Sequence, residues 1–300
     1  MRPPGAELPS REPALEPASV MALIVTYHPD AGVGDRMRSL IGTVGAILFV
    51  DNGSRPDEIG PLEPFLQEDG VRFLKNDRNA GLATALNQGF SWAVDHGFSW
   101  VLTLDQDTEP TADVVLEAAK VLTAHRERRI AVVGAAYGDQ APARLSPDGS
   151  EVTWVITAGA LHSVNAWQHL GRFRDDFFID HVDVEFCLRA RTRGYAIFRA
   201  SGATIRHSIG YPTAHDALFR SVNTSNHSRW RRYYMTRNRI IVWRAYARNE
   251  PGYVASDVRA AAREFVKVVL FEDDRGRKVA AMIRGMRDGM RGSTGEASSM

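Results

Sequence analysis

Four short apolar runs, Val20–Tyr27, Gly45–Val50, Val71–Leu74 and Trp100–Leu104, punctuate the first third of this chain. Polar turn-forming residues close the first two, His28-Pro29-Asp30 and Asp51-Asn52-Gly53-Ser54. Apolar runs of this length bounded by turn signals read as buried strands. Helix patterns lie between them, over residues 31–44, 81–96 and 112–125. In the second, Leu82, Leu86, Phe90, Ala93 and Val94 share one face, with Asn79 near its start and Gly97 past its end. Buried strands alternating with helices predict an α/β fold, a mostly parallel sheet covered on both faces. Ligands in such sheets bind beyond the carboxyl ends of the strands. Asp51, Asn79 and Asp107 all fall at or just after strand ends, so one crevice can gather them.

Beyond Ile130–Gly134 the order loosens. Residues 139–150 read as a surface loop, and residues 153–161 are apolar around Thr157-Ala158-Gly159-Ala160. Phe177 to Leu188 leads into a helix ending at Arg193-Gly194-Tyr195. Tyr195–Phe198 and Ala203–Arg206 read as two strands, and residues 229–247, 258–271 and 277–290 as helices. The expected organisation is a disordered extension over 1–19, one domain over 20–225, a basic helical region over 226–291 and a disordered tail over 292–300.

Composition narrows the function classes. A single cysteine, Cys187, excludes a disulfide framework and a cysteine-built zinc site within the monomer. The first 19 residues carry five prolines and no apolar run, so they lack a secretory signal's centre. No stretch approaches the roughly 20 apolar residues that span a bilayer. The expected location is the cytoplasm, soluble or peripheral on the inner face of the membrane. A net charge of +1 argues against nucleic-acid binding. The positive charge is uneven: Arg229 to Arg248 contains seven arginines and no acid, and Arg275 to Arg291 six basic residues and only Asp288 as acid. In the latter stretch Val279, Met282, Ile283, Met286 and Met290 share one side, opposite Arg284, Arg287 and Arg291. Such a helix suits an anionic membrane interface, its own core or another subunit of a homo-oligomer.

The chemistry begins at Leu104-Asp105-Gln106-Asp107. In extended chain, alternate residues share a face, so both carboxylates can aim at one point past the strand end. Mg²⁺ takes one or two protein carboxylates and completes its shell with water and phosphate oxygens, so the pair implies a phosphorylated ligand as much as a metal. The competing reading is a turn with two solvated aspartates.

Several further pieces stand in order around this one. They are Val25-Thr26-Tyr27, Val50-Asp51-Asn52-Gly53-Ser54, Asn76-x-x-Asn79-x-Gly81-x-Ala83, Ala158-Gly159-Ala160, Phe178-Ile-Asp180-x-x-Asp183-x-Glu185-Phe-x-Leu188-Arg189, His207 with Gly210, and Tyr233-Tyr234-x-x-Arg237-Asn238. Together they resemble the inverting family 2 glycosyltransferases of the GT-A fold, within them the bacterial rhamnosyltransferases that use dTDP-L-rhamnose. The resemblance covers about residues 20 to 290.

That resemblance implies a metal-dependent enzyme using Mg²⁺ or Mn²⁺, with a nucleotide-sugar donor and a glycan or polyprenyl-linked glycan acceptor. It implies Asp107 and His207 as metal ligands, with Asp105 on the ribose or a metal-bound water. It assigns Asp51 to the imide N–H of a uracil or thymine base, Thr26 and Tyr27 to the strand beside that base, and Asn79 and Gly81 to a loop near the nucleotide. Asp183 is the implied general base; Val182 stands where the family often has a second acid, which leaves Asp183 the less ambiguous choice. Glu185 orients a neighbour or caps the helix. Gly159, His181, Arg237 and Asn238 are the expected acceptor or diphosphate contacts. Competing functions are a UDP-sugar transferase, such as a galactofuranosyl or other hexosyl enzyme, and a non-catalytic glycan-binding protein on the same fold. A nucleotidyltransferase ranks lower, because residues 28–36 offer two glycines and only Arg36 as a phosphate loop.

Overall fold

The computed structural model describes residues 15–111, 113–137, 146–206, 213–217 and 220–297. Its strands are β1 (Val20–Thr26), β2 (Ala46–Asp51), β3 (Val71–Lys75), β4 (Trp100–Asp105), β5 (Glu109–Pro110), β6 (Ile130–Tyr137), β7 (Ser150–Glu151), β8 (Ala160–Ser163), β9 (Ala196–Arg206), β10 (Thr213–Ala217) and β11 (Arg220–Thr224). Its helices are α1 (Val33–Met37), α2 (Pro56–Ile59), α3 (Glu63–Leu66), α4 (Leu82–Asp95), α5 (Val114–Ala124), α6 (Val164–Leu170), α7 (Val182–Thr192), α8 (Arg229–Tyr246), α9 (Pro251–Phe271) and α10 (Arg275–Arg291).

The large sheet runs β3-β2-β1-β4-β8-β6-β9-β5, with β7 also paired to β9; β10 and β11 form a separate hairpin. The first four strands in this order are parallel, β8 is antiparallel to both its neighbours, and β9 is parallel to β6. Val25 stands opposite both Val50 and Asp105, and Thr26 opposite Asp51, so β1, β2 and β4 end at one level. Every residue of β2 is buried, as is all of β1 except the half-buried Val25. This is why these strands are apolar throughout: one core packs α4, α6 and α7 on one face, and a second packs α1 and α5 on the other.

Four departures from the sequence reading have local causes. The helix expected over 31–44 stops at Met37 and continues as a 3-10 turn over Arg38–Leu40, with Gly42 beyond it in the left-handed region at φ +76°. The two strands expected over 195–206 are halves of β9, joined by a bulge where Gly134 pairs Arg199 but Ala136 pairs Thr204. The helix α6, capped by Ser163 accepting from the Ala166 amide, was hidden in an apolar stretch too short for periodicity. The hairpin β10–β11 carried no alternation to announce it. The expected disordered ends are also partly placed: Leu15 packs against the second core, and the chain from Gly292 to Ala297 is described.

The basic C-terminal helices attach through small residues. A Cβ on Gly285 would lie 2.5 Å from the Tyr233 carbonyl oxygen, and one on Gly289 2.6 Å from that of Arg237. These glycines let α10 lie backbone to backbone on α8, which compensates their poor helix propensity. Met282 belongs to this buried face with Ala281, whereas Ile283, Met286 and Met290 face outward, so the sequence-expected apolar side is divided between two surfaces.

Candidate active site

The floor of the site is a polar network at the ends of β1 and β2. The Asp51 carboxylate, fully buried, accepts hydrogen bonds from Thr26 Oγ1 (3.0 Å), Ser54 Oγ (2.6 Å) and the backbone amides of Gly53 and Ser54. Asn52 continues it. Its amide donates to Asn79 Oδ1 at 3.0 Å, and its own Oδ1 accepts from Asn76 and from the Ala80 amide. Asn79 Oδ1 also accepts from the Gly81 amide. Gly81 sits at φ +90°, and a Cβ there would meet the backbone of Phe178 at 2.8 Å. Only glycine fits that left-handed, close-packed position. Through it the loop after β3 rests directly on the loop before α7.

The Asp105-Gln106-Asp107 turn is aimed by its middle residue. Gln106 accepts from the Tyr27 amide at 2.8 Å and donates to the Tyr27 carbonyl at 3.2 Å, as a strand neighbour would. Arg36, paired with Asp30, donates two further bonds to the Gln106 carbonyl. Of the residues flanking Gln106, Asp105 at the end of β4 is half-buried and Asp107 in the turn is exposed; Tyr27, bonded to Gln106, is 44% exposed. Gln106, Arg36 and Asn52 are supporting residues that the sequence reading missed; alternation about the Asp-x-Asp pair was the available signal for Gln106.

The third part is the loop before α7. Phe178, Asp180 and His181 all adopt positive φ (65°, 64° and 61°), a conformation costly for side-chain-bearing residues. Helix α8 holds it there. The Asn238 amide donates to the carbonyls of Phe177 (3.0 Å), Ile179 (2.8 Å) and Asp180 (2.9 Å), and Arg237 donates to those of Asp176, Phe177 and Gly295. Arg231 pairs with the Asp180 carboxylate at 3.2 Å, and Tyr234 stacks on Phe178. The Gly295 amide donates to the Asp176 carbonyl, so residues 293–297 complete the support.

This loop delivers Asp183 to the first turn of α7. Its carboxyl is pushed up to about 7, chiefly by burial, with the negative fields of Asp180 and Asp105 adding to it and the Val184 amide opposing. Asp105 therefore lies near enough to Asp183 for its charge to be felt there. Burial also raises Asp180 and lowers His181 to about 3, so His181 is a neutral imidazole at pH 7. Glu185 pairs with Arg189 at 2.8 Å and accepts from Tyr246 at 2.8 Å, the orienting role expected of it.

The structure ties Tyr27 to Gln106, between Asp105 and Asp107, rests Gly81, to which Asn79 is bonded, on the loop that holds His181, and sets Asp183 within the field of Asp105; five other expected residues are committed elsewhere. Asp51 and Thr26 are inaccessible to a base, because each satisfies the other and the turn. Gly159 is a packing glycine at φ +72°, where a Cβ would strike Ile205; its amide donates to the Thr103 carbonyl, inside the sheet. Arg237 and Asn238 are buried, their donors on backbone carbonyls and, for Arg237 Nε, on Asn238 Oδ1, so they hold the loop before α7 and do not face a diphosphate. His207 lies outside the described residues. Among those described, no three His, Cys, Asp or Glu side chains gather as a metal cage. Asp105 and Asp107 nevertheless supply the two hard oxygen donors that suit Mg²⁺ or Mn²⁺ sharing its shell with water and phosphate.

Comparison with known proteins identifies the family and the fold. Residues 23–188 match the model of Glycosyl transferase family 2. Over 310 residues the chain is 24% identical to the dTDP-rhamnosyl transferase RfbF of Shigella flexneri, covering 93% of this chain and 97% of that protein. The mannosyltransferase PcManGT from Pyrobaculum calidifontis, solved with GDP-Man and Mn²⁺, shares the fold with a TM-score of 0.57 at 13% identity, over 91% of this chain and 87% of that one. GalNAc-T7, solved with UDP, GalNAc and Mn²⁺, gives 0.53 at 13% identity over 63% of this chain, which spans only 42% of that protein. The sheet and its helices are thus a GT-A fold. With the family model matched over more than half its length, the chain belongs to glycosyl transferase family 2 and is a glycosyltransferase.

Proposed function

We propose that this glycosyltransferase moves a single sugar with inversion, L-rhamnose from dTDP-L-rhamnose, to a hydroxyl of a glycan or lipid-linked glycan acceptor. What supports the reaction type is the placement of Asp183, in the first turn of α7 on the loop that Asn238 holds and within the field of Asp105, where burial pushes its carboxyl up to about 7. A base poised near the working pH is the most effective proton acceptor. In the proposed step the acceptor oxygen attacks the anomeric carbon as its proton passes to the Asp183 carboxylate. The bond from that carbon to the diphosphate oxygen breaks, and its electron pair leaves with the nucleotide. One base and one displacement give inversion.

Asp105 and Asp107 would hold the divalent metal, which neutralises the leaving diphosphate. His207, which lies outside the described residues, is the third ligand that the family resemblance implies. Tyr27, exposed beside Gln106, would pack on the nucleotide base, and His181 would meet the acceptor. The choice of rhamnose rests on the likeness to RfbF over nearly the whole of both chains.

The test is thermal stabilisation by dTDP and by UDP, each with and without Mn²⁺, followed by transfer from dTDP-rhamnose. Metal-dependent stabilisation by dTDP above UDP that disappears in Asp107→Ala is the expected result. No stabilisation by either nucleotide would overturn the donor site; equal or stronger stabilisation by UDP would overturn the dTDP-sugar assignment.

A further inference from the structure

The longest helix of the structure is also its least buried. Of the 21 residues of α9, only Val268 is fully buried. Val258, Ala262, Phe265, Val266, Val269 and Leu270 recur at i, i+4, i+7, i+8, i+11 and i+12, a continuous apolar stripe on one side of a helix. Four of them, Val258, Phe265, Val266 and Leu270, are 43%, 41%, 51% and 59% exposed. On α10, Val279, Ile283, Met286 and Met290 repeat the pattern at i, i+4, i+7 and i+11, with Ile283 and Met290 60% and 57% exposed.

The charges around these stripes are sorted by sign. The acids of α9 turn inward to α8: Asp257 accepts from Trp243 Nε1 at 2.8 Å and pairs with Arg239 at 3.1 Å, and Glu264 pairs with Arg239 at 2.9 Å and with Arg232. The acid of α10, Asp288, is held by Tyr233 at 3.0 Å and by Arg287 at 3.3 Å. Glu272, between the helices, is buried on Lys278 and Arg232, which leaves Asp273 and Asp274 of the turn as the exposed acids. The basic residues go the other way. Arg259, Arg263 and Lys267, spaced by four, are exposed along one border of the α9 stripe, and Arg287 and Arg291 are exposed beside that of α10.

We propose that the outward faces of α9 and α10 form a docking surface for an anionic lipid membrane, with the helices lying in the interface. The apolar stripes enter the acyl boundary while the arginines and Lys267 meet lipid phosphates. A second copy of the chain fits less well. Bringing two such faces together sets cationic border against cationic border, with the helical acids already turned inward. None of the described helices is long and apolar enough to cross a membrane, which agrees with surface attachment. Most of this surface belongs to α9, not to the tail after Arg275, because α10 gives one of its faces to α8. Nothing in it depends on the donor-site assignment.

The test is flotation of the full chain with phosphatidylcholine vesicles, with and without phosphatidylglycerol, at low and high NaCl. The parent should bind the anionic vesicles at least about tenfold better than the neutral ones, and salt should weaken that binding. Phe265→Asp with Leu270→Asp, and separately Arg259→Ser with Arg263→Ser, should each lower it by about tenfold or more. The melting temperature and circular dichroism of every variant, compared with the parent, separate loss of docking from loss of fold. Equal binding to both vesicles, no binding to either, or binding untouched by both pairs of substitutions would overturn the proposal. So would a dimer of the parent, seen by light scattering, that Phe265→Asp with Leu270→Asp converts to monomer.

Discussion

Asp183→Asn should abolish transfer and yet make the protein more stable above pH 7. Burial and two neighbouring acids lift the Asp183 carboxyl from the ordinary 3.8 to about 7. Between those values the unfolded chain releases this proton and the folded chain keeps it, so rising pH favours unfolding by about 1.4 kcal/mol per pH unit. Across the window this reaches an upper bound of roughly 4 kcal/mol. Asp183 is only partly shielded at the crevice, and solvent screening brings the expected penalty nearer 2 kcal/mol. Asparagine keeps the shape and can still accept from the Val184 amide, but it never carries the charge. Its gain should be absent below about pH 4, grow through the window and level off above pH 7. At roughly 2–4 °C per kcal/mol, the melting temperature at pH 8 should rise by about 4–8 °C. Thermal unfolding of parent and variant from pH 4 to pH 8 measures this directly. A variant less stable by the same amount at every pH would refute the account of the site's electrostatics, and a variant that still transfers sugar would refute the base.

Other consequences follow from the same geometry. Log kcat/KM of the parent should fall below about pH 7, and Asp180→Asn, by removing one negative neighbour, should move that acid limb lower; an unmoved limb assigns it to another group. Asn238→Ala leaves the Ile179 and Asp180 carbonyls without their donor and Phe177 with Arg237 alone, and at about 1–3 kcal/mol for each group left unpaired kcat should drop at least about tenfold while the KM for donor changes little; a change confined to KM would return Asn238 to ligand contact. Gly81→Ala forces a Cβ onto Phe178 in a left-handed backbone and should destabilise by more than about 1 kcal/mol, read from urea midpoints, whereas Gly97→Ala meets open space and bears only the backbone cost. Gln106→Ala should weaken metal-dependent nucleotide binding by freeing the turn that carries Asp105 and Asp107; unaltered nucleotide stabilisation would refute its aiming role.

The centre of the parallel half, β1, β2 and β4, was legible because these strands are buried on both faces and so are apolar almost throughout, while the edge strand β3 was read from its shorter apolar run. The half beyond β6 was not, because a bulged β9 and the short α6 leave no period to read. Among the candidate site residues, Asp105 and Asp107 stood out as acids at the end of an apolar run, whereas Asp183 was singled out from its acidic neighbours only by the family resemblance. Asp51 and Asn238 were visible too, but not their direction, since a carboxylate or an amide looks alike in sequence whether it meets a ligand or backbone. The three positive-φ residues, Phe178, Asp180 and His181, had no signal at all; none is glycine, and the turns they make set the carbonyls of Phe177, Ile179 and Asp180 on the Asn238 amide.

Support for the base loop comes from far along the chain, and this gives the site a history in time. Asp183 is made well before the Asn238 that secures its loop and before the Gly295 that completes it. At about 5–20 residues per second of synthesis, that interval is on the order of ten seconds. Throughout it the nascent chain holds every acidic group of the site with its loop unsecured. Competence for transfer should therefore arise late and in one step, when α8 and residues 293–297 reach the loop, so that half-made chains draw on no nucleotide sugar.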